Sequence, residues 1–241
     1  MPLDPSGSEG EVGSDEARAR LARGEPILRA NELVLDWNAF ARLFQETCRV
    51  AARHRASDAD EFNHLAELFG NDPAHSGKLA REYISGTNHQ LLITNLQSPI
   101  SNLQSFVLNN ALHPFLAAFA REHQALIDDA AWYRADCPVC GGEPDFAALE
   151  KESGARRLLC SRCDTEWTFH RTTCPFCGEQ EPEKLGYYPG GHGAYRLYTC
   201  ENCKRYLKTI DLRELAREVN LPGERVLTIG MDLAAANAGY A

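Results

Sequence analysis

The sequence predicts an α+β, multidomain protein: an N-terminal all-α helical domain followed by two tandem metal-binding modules of the rubredoxin-like or zinc-ribbon kind. Three observations carry that reading. Eight of the nine cysteines form four Cys-x-x-Cys pairs, confined to 137–203. Apolar residues recur at helical spacing ahead of them, and β-type residues flank them. The pairs also alternate in type. The expected units are a disordered leader over 1–13, a helical domain over 14–131, a first four-cysteine module over 132–172, and a second over 173–241 that ends in a helical tail.

The pairs are Cys137/Cys140, Cys160/Cys163, Cys174/Cys177 and Cys200/Cys203, separated in turn by 19, 10 and 22 residues. Two cysteines three apart on a tight turn aim both sulfurs at one point. Two facing turns close a thiolate tetrahedron, the geometry preferred by zinc or by a single iron. The first and third pairs read Cys-Pro-Val-Cys-Gly and Cys-Pro-Phe-Cys-Gly, and the second and fourth lack Pro and Gly. Gly141 and Gly178 stand where such turns call for positive φ. The alternation favours sequential sites: Cys137, Cys140, Cys160 and Cys163 as site one; Cys174, Cys177, Cys200 and Cys203 as site two. A crossed pairing stays open. Disulfides would need an oxidising compartment, and no secretory signal is visible. A redox dithiol would be one pair opening a helix in a βαβ unit.

Residues 1–13 are rich in Pro, Gly, Ser and acids, hence the disordered leader. Ser14 or Asp15 would cap a short helix to Leu21–Arg23, stopped by Gly24 and Pro26. Leu35 to His54 carries an apolar stripe through Leu35, Trp37, Phe40, Leu43, Phe44, Cys48, Val50 and Ala51. Cys48, on that stripe, reads as small core filler. Ser57 or Asp58 would open the next helix, with Phe62, Leu65, Leu68 and Phe69 inward and Gly70 at its end. Asp72-Pro73 reads as an N-cap and first helical position for a segment through Ile84. The helical pattern continues over 87–108, broken at Pro99, and Asn110–Pro114 restarts a helix facing inward with Leu112, Phe115, Leu116, Phe119, Leu126 and Ile127. Five to seven helices result. His54, His64, His75, His89, His113 and His123 are scattered among them without metalloprotease spacing and read as surface or capping residues. His89 and Gln90, before an apolar run, are candidates for a domain interface.

Trp132, Tyr133 and Arg134 mark the entry to the cysteine region. The intervals inside each unit fit two short strands and a turn. Arg156–Leu159 and Glu166–His170 read as strands of the first module, with Trp167 packing over the thiolates. Leu185–Tyr188 and Ala194–Thr199 read as strands of the second, joined through 189–193 with the solvated His192 at the tip. Tyr206–Ile210 is a further strand, Asp211–Val219 a helix ended by Asn220, Pro222 and Gly223, and 231–241 a short terminal helix.

The formal net charge of −9 argues against a general nucleic-acid binder. So does the cysteine region itself, with twelve basic against thirteen acidic residues over 134–214. No apolar run approaches the ~20 residues of a membrane span, so a cytoplasmic protein is expected. Neither a nucleophile–base pairing nor a phosphate loop points to an enzyme.

The quoted motifs carry a resemblance. Cys-Pro-Val-Cys-Gly-Gly-x-Pro at 137–144, Cys-Ser-Arg-Cys followed by Trp167, Cys-Pro-Phe-Cys-Gly at 174–178, Cys-Glu-Asn-Cys-Lys-Arg-Tyr-Leu-Lys at 200–208, and the closing Asp232-Leu233 to Gly239-Tyr240 resemble the formate dehydrogenase accessory protein family (FdhE). The resemblance is specific over 132–241 and looser over the helices, where this chain is shorter than the longer members. It implies a helical domain joined to two rubredoxin-like modules binding iron or zinc, with the eight cysteines matching the family's metal-binding positions one for one. It also implies a non-catalytic role: the family is needed for active molybdenum- or tungsten-dependent formate dehydrogenase and contacts its catalytic subunit in the cytoplasm. The competing readings are a tandem zinc-ribbon module for nucleic acid or transcription and a rubredoxin-like electron carrier.

Overall fold

A computed structural model describes residues 12–70, 72–85, 102–190 and 193–241. Most of the expected leader, Pro99, His89, Gln90 and His192 lie outside the described residues.

Five helices precede the cysteines among the described residues: α1 (Ser14–Ala22), α2 (Trp37–His54), α3 (Ala59–Gly70), α4 (Pro73–Ile84) and α5 (Asn102–His123). Asp36 caps α2 by accepting from the amides of Asn38 and Ala39, and Asp72 caps α4 through those of Ala74 and His75. Gly13, with no side chain to offer, precedes α1, so Ser14 is its first helical residue and not its cap. The α2 stripe is buried at Phe40, Phe44, Cys48 and Ala51, each phenyl group there stabilising by about 1.5–3 kcal/mol. Two expected inward residues face out: Val50 and Leu68 are about half exposed. The chain does not restart at Pro114. Helix α5 begins at Asn102 and passes through that proline.

Six strands follow: β1 (Pro144–Leu149), β2 (Arg156–Cys160), β3 (Glu166–Phe169), β4 (Leu185–Pro189), β5 (Tyr195–Cys200) and β6 (Tyr206–Asp211). They form one sheet in the order β3-β2-β1-β6-β5-β4. Neighbours are antiparallel except β1 and β6, which run parallel from Phe146↔Lys208 to Leu149↔Asp211. The expected boundary at 172/173 falls in the loop after β3, while the sheet itself runs unbroken across both halves.

Strand β1 is buried on both faces, which a central strand requires. Ala147, Leu158 and Trp167 join the apolar cluster of the helices, which also contains all four cysteines of the first quartet. On the opposite face, Phe146, Ala148, Leu159 and Ile210 pack with Leu221 of α6 (Leu221–Leu227). The expected helix over Asp211–Val219 is absent: only a 3₁₀ turn, Leu212–Glu214, forms there. Asn220, Pro222 and Gly223 begin a helix instead of ending one. Asn220 accepts from the Gly223 amide, and Pro222 sits in the first turn, where its missing N–H costs nothing. The closing helix is α7 (Ile229–Asn237).

Candidate metal centres

The four knuckles share one backbone design. In each, the amide four residues after the first cysteine donates to that cysteine's carbonyl: Gly141 to Cys137, Asp164 to Cys160, Gly178 to Cys174, and Lys204 to Cys200. Each first-cysteine amide in turn donates to the carbonyl five residues on, at Gly142, Thr165, Glu179 and Arg205. The residue after the second cysteine is left-handed every time, with φ of 67° at Gly141, 58° at Asp164, 76° at Gly178 and 55° at Lys204. Glycine makes that conformation visible in sequence. Asp164 and Lys204 conceal it, and their matching place in the repeat was the available signal.

These turns bring the sulfurs together in sequential quartets: Cys137 with Cys140, Cys160 and Cys163, and Cys174 with Cys177, Cys200 and Cys203, every pair within 4.8 Å. Cross-knuckle Sγ–Sγ distances are 3.6 and 3.5 Å in the first quartet and 3.8 and 3.6 Å in the second. A tetrahedron with metal–sulfur bonds of about 2.3 Å has edges of about 3.8 Å, so both quartets fit an ion held by four thiolates. All eight cysteines are free, and the spacing is far beyond a disulfide's roughly 2.05 Å.

The surroundings differ. The first quartet is wholly buried. The extended segment after α1 lies against its first knuckle, with the amides of Ile27 and Leu28 donating to the carbonyls of Pro138 and Val139. Arg20, itself buried, holds that segment through Ile27 O and a two-pronged bond to Glu32. The second knuckle meets the helices. Asn109 donates to Ser161 O, His113 lies 2.9 Å from Asp164, and Arg162 donates to Ile84 O while stacked 4.7 Å over Tyr83. Asp164 also pairs with Arg225 of α6 at 2.9 Å, so helix α5, site one and α6 are tied in one chain of polar contacts. His113, which read as a surface or capping residue, is therefore a tether between α5 and a knuckle. Trp167 is fully buried in the same cluster and donates from Nε1 to Arg134 O.

The second quartet is open on one side: Cys177 is exposed and Cys203 partly so. Asn202 Nδ2 donates to Cys177 Sγ at 3.6 Å, and Arg205 stacks 3.8 Å over Phe176.

Burial pushes the Cys137 and Cys163 thiols well above the ordinary range, while hydrogen bonds from the Cys137, Cys160 and Cys163 thiols, aided by Arg162, hold Cys140 well below it. At site two burial raises Cys174 and lifts Cys203 to about 11. At Cys177 burial is outweighed by hydrogen bonds from the Glu179 amide and Asn202, and the thiol falls to about 7. An arriving metal displaces the remaining thiol protons, so affinity at both quartets declines as pH falls. Exposure predicts the order of release. Under chelator challenge one equivalent is expected to leave quickly from site two and the other slowly from site one. Zinc- or iron-release traces, with Cys177→Ser removing the fast phase, check this; a single phase would refute it.

Among the described residues no helix is long and apolar enough to cross a membrane. A family model described as "FdhE, central domain" matches residues 136–171, the stretch that holds the whole first quartet. A protein of Aquifex aeolicus named "Protein FdhE homolog" is 30% identical over 236 residues, spanning 95% of this chain and 76% of its own length. A namesake in Pseudomonas aeruginosa is 30% identical over 154 residues, 56% of this chain and 48% of that protein. The crystal structure of the FdhE protein from Pseudomonas aeruginosa shares the fold, with a TM-score of 0.59 at 21% identity over all of this chain and 78% of that one. A relative matched at this identity over nearly the whole chain, on a shared fold, establishes that the chain belongs to the FdhE family.

Proposed function

We propose that this chain is a non-catalytic accessory factor for formate dehydrogenase that binds the enzyme's catalytic subunit in the cytoplasm, with all eight paired cysteines as ligands of two metal ions. The observation that carries the reading is the presence of two complete thiolate quartets on the fold of the FdhE family. The metal would be structural first: each knuckle pair is held by a few backbone hydrogen bonds, and an ion bound by four sulfurs supplies the cross-link between the two turns. We also propose 14–131, 132–172 and 173–241 as units with separate roles, the helices of the first and the helical tail of the third gripping the partner and the two cysteine clusters fixing the sheet. Val226, Leu227, Ile229 and Leu233 on α6 and α7 are exposed and supply unpartnered apolar area of the kind that contacts another polypeptide.

A pull-down from native cytoplasm with the metal-loaded chain is expected to recover a formate dehydrogenase catalytic subunit. Recovery of nucleic acid in its place would overturn the reading. Elemental analysis and optical spectra of protein purified without oxygen assign the metal, since a ferric four-thiolate centre is coloured and a zinc centre is not. A reversible couple in an iron-loaded protein would favour the electron-carrier reading, to which the exposed Cys177 offers access.

A further inference from the structure

Beside the second quartet lies a cavity of about 330 Å³, open to solvent on one side. That volume falls in the range of small-ligand sites, about 300–1,000 Å³. Its apolar wall is built from Phe176, Leu185, Tyr187, Tyr198 and Leu207. Four arginines complete it: Arg156, Arg171, Arg196 and Arg205. Two of these are already neutralised. Arg196 pairs with Asp211 at 2.6 Å, and Arg205 holds Glu143 in a two-pronged contact of 3.0 and 2.8 Å.

The other two are not. Among the described residues no carboxylate pairs with Arg156 or Arg171. Arg156 is only 3% exposed. Its Nη1 donates to the carbonyls of His170 and Thr173, its guanidinium stacks 4.7 Å over Tyr198, and its Nε has no hydrogen-bond partner. Arg171, exposed on the same wall, adds a second positive charge close enough to disfavour the first. A buried guanidinium without counter-charge is costly, and a planar carboxylate is the group whose geometry matches it.

We propose that this cavity binds a carboxylate carried on an apolar or aromatic body. The acid would sit between Arg156 and Arg171, and the body against Tyr187, Tyr198 and Phe176. A free small acid and the C-terminal residue of a polypeptide both present that chemistry. The metal-loaded quartet is the rival claimant, because Cys174 and Cys200 share the wall and four thiolates around a divalent ion carry net negative charge.

Calorimetric titration of the full-length, metal-loaded chain separates these. The probes are phenylpropionate, its neutral amide, inorganic phosphate, and the peptide N-acetyl-Gly-Gly-Phe with a free carboxylate. Phenylpropionate is expected to bind saturably and the amide roughly tenfold more weakly or worse. Arg171→Gln is expected to weaken the acid by about tenfold while metal content stays whole. Tighter binding of the peptide than of phenylpropionate would assign the ligand to a polypeptide end; the reverse would assign it to a free acid. The proposal is overturned by equal binding of acid and amide, by phosphate competing as well as phenylpropionate, or by no saturable binding at all. It is equally overturned if Arg171→Gln lowers metal content and leaves acid binding unchanged, because the arginines then serve the sulfurs.

Discussion

Cys160→Ser is expected to release the metal of site one and to unfold much of the molecule with it. Cys160 is fully buried, ends β2, and shares its apolar cluster with the helices. A serine hydroxyl is a poor ligand for an ion that four thiolates would hold. Structural zinc contributes on the order of 10–16 kcal/mol in zinc-finger peptides, while a whole domain is stable by only about 5–15 kcal/mol. The loss is therefore comparable to the whole stability of a domain. The damage should spread both ways, since Ile27, Leu28, Asn109, His113 and Arg162 all dock the helices on these knuckles. Metal content should fall by one equivalent, and hydrogen exchange should accelerate in β1–β3 and α5 together. In Cys177→Ser, at the exposed quartet, acceleration should stay local to β4–β6. Full metal content and an unchanged melting profile in Cys160→Ser would sink the structural role assigned to site one.

Asp211→Asn is expected to cost about 3 kcal/mol, the low end of the roughly 3–5 kcal/mol for breaking a buried pair. Asp211 is completely buried at the end of β6. Its carboxylate takes Arg196 at 2.6 Å and Arg213 at 2.7 and 2.8 Å, and it also accepts from the Arg213 amide. The low end applies because Arg213 can reach water, whereas Arg196 is largely enclosed. The Arg213 guanidinium holds the Asp211 carboxyl below its usual range, with Arg196 adding to the effect. The folded state thus binds the proton less tightly than the unfolded chain. The stabilisation is whole above the unfolded value of about 3.9 and is lost as pH falls through the lower folded value. Urea midpoints of the two proteins should be well separated at neutral pH and converge in strong acid. A constant gap across that range would show that the pair does not carry the difference.

The quartets were legible because their chemistry is written in spacing: two turns of identical form must meet if four sulfurs are to converge. Strands β3 to β6 were legible from their β-branched and aromatic residues, and β2 from the apolar pair Leu158-Leu159 leading into the second knuckle. Strand β1 is not announced by its residues, because Pro-Asp-Phe-Ala-Ala-Leu has weak strand character and draws its conformation from burial between two neighbours. Its parallel partner β6 lies far along the chain, and no local pattern announces that pairing. The helix expected over Asp211–Val219 failed for a different reason. Asp211 is consumed by Arg196 and Arg213, which fixes a 3₁₀ turn, and Asn220 then opens a helix on its own. The tether from His113 to Asp164 was equally hidden, since it joins residues brought together only when the helices pack on the sheet.

The parallel join between β1 and β6 also decides when, during synthesis, the sheet can close. Phe146–Leu149 emerges and meets β2 early, but its other edge stays bare until Tyr206–Asp211 is made. A nascent chain released in that interval would present an unpaired strand in the middle of its future sheet, the kind of template on which aggregation begins. Strand β6, the last of these six to be translated, is thus the keystone, and the molecule passes through its most vulnerable moment just before it arrives.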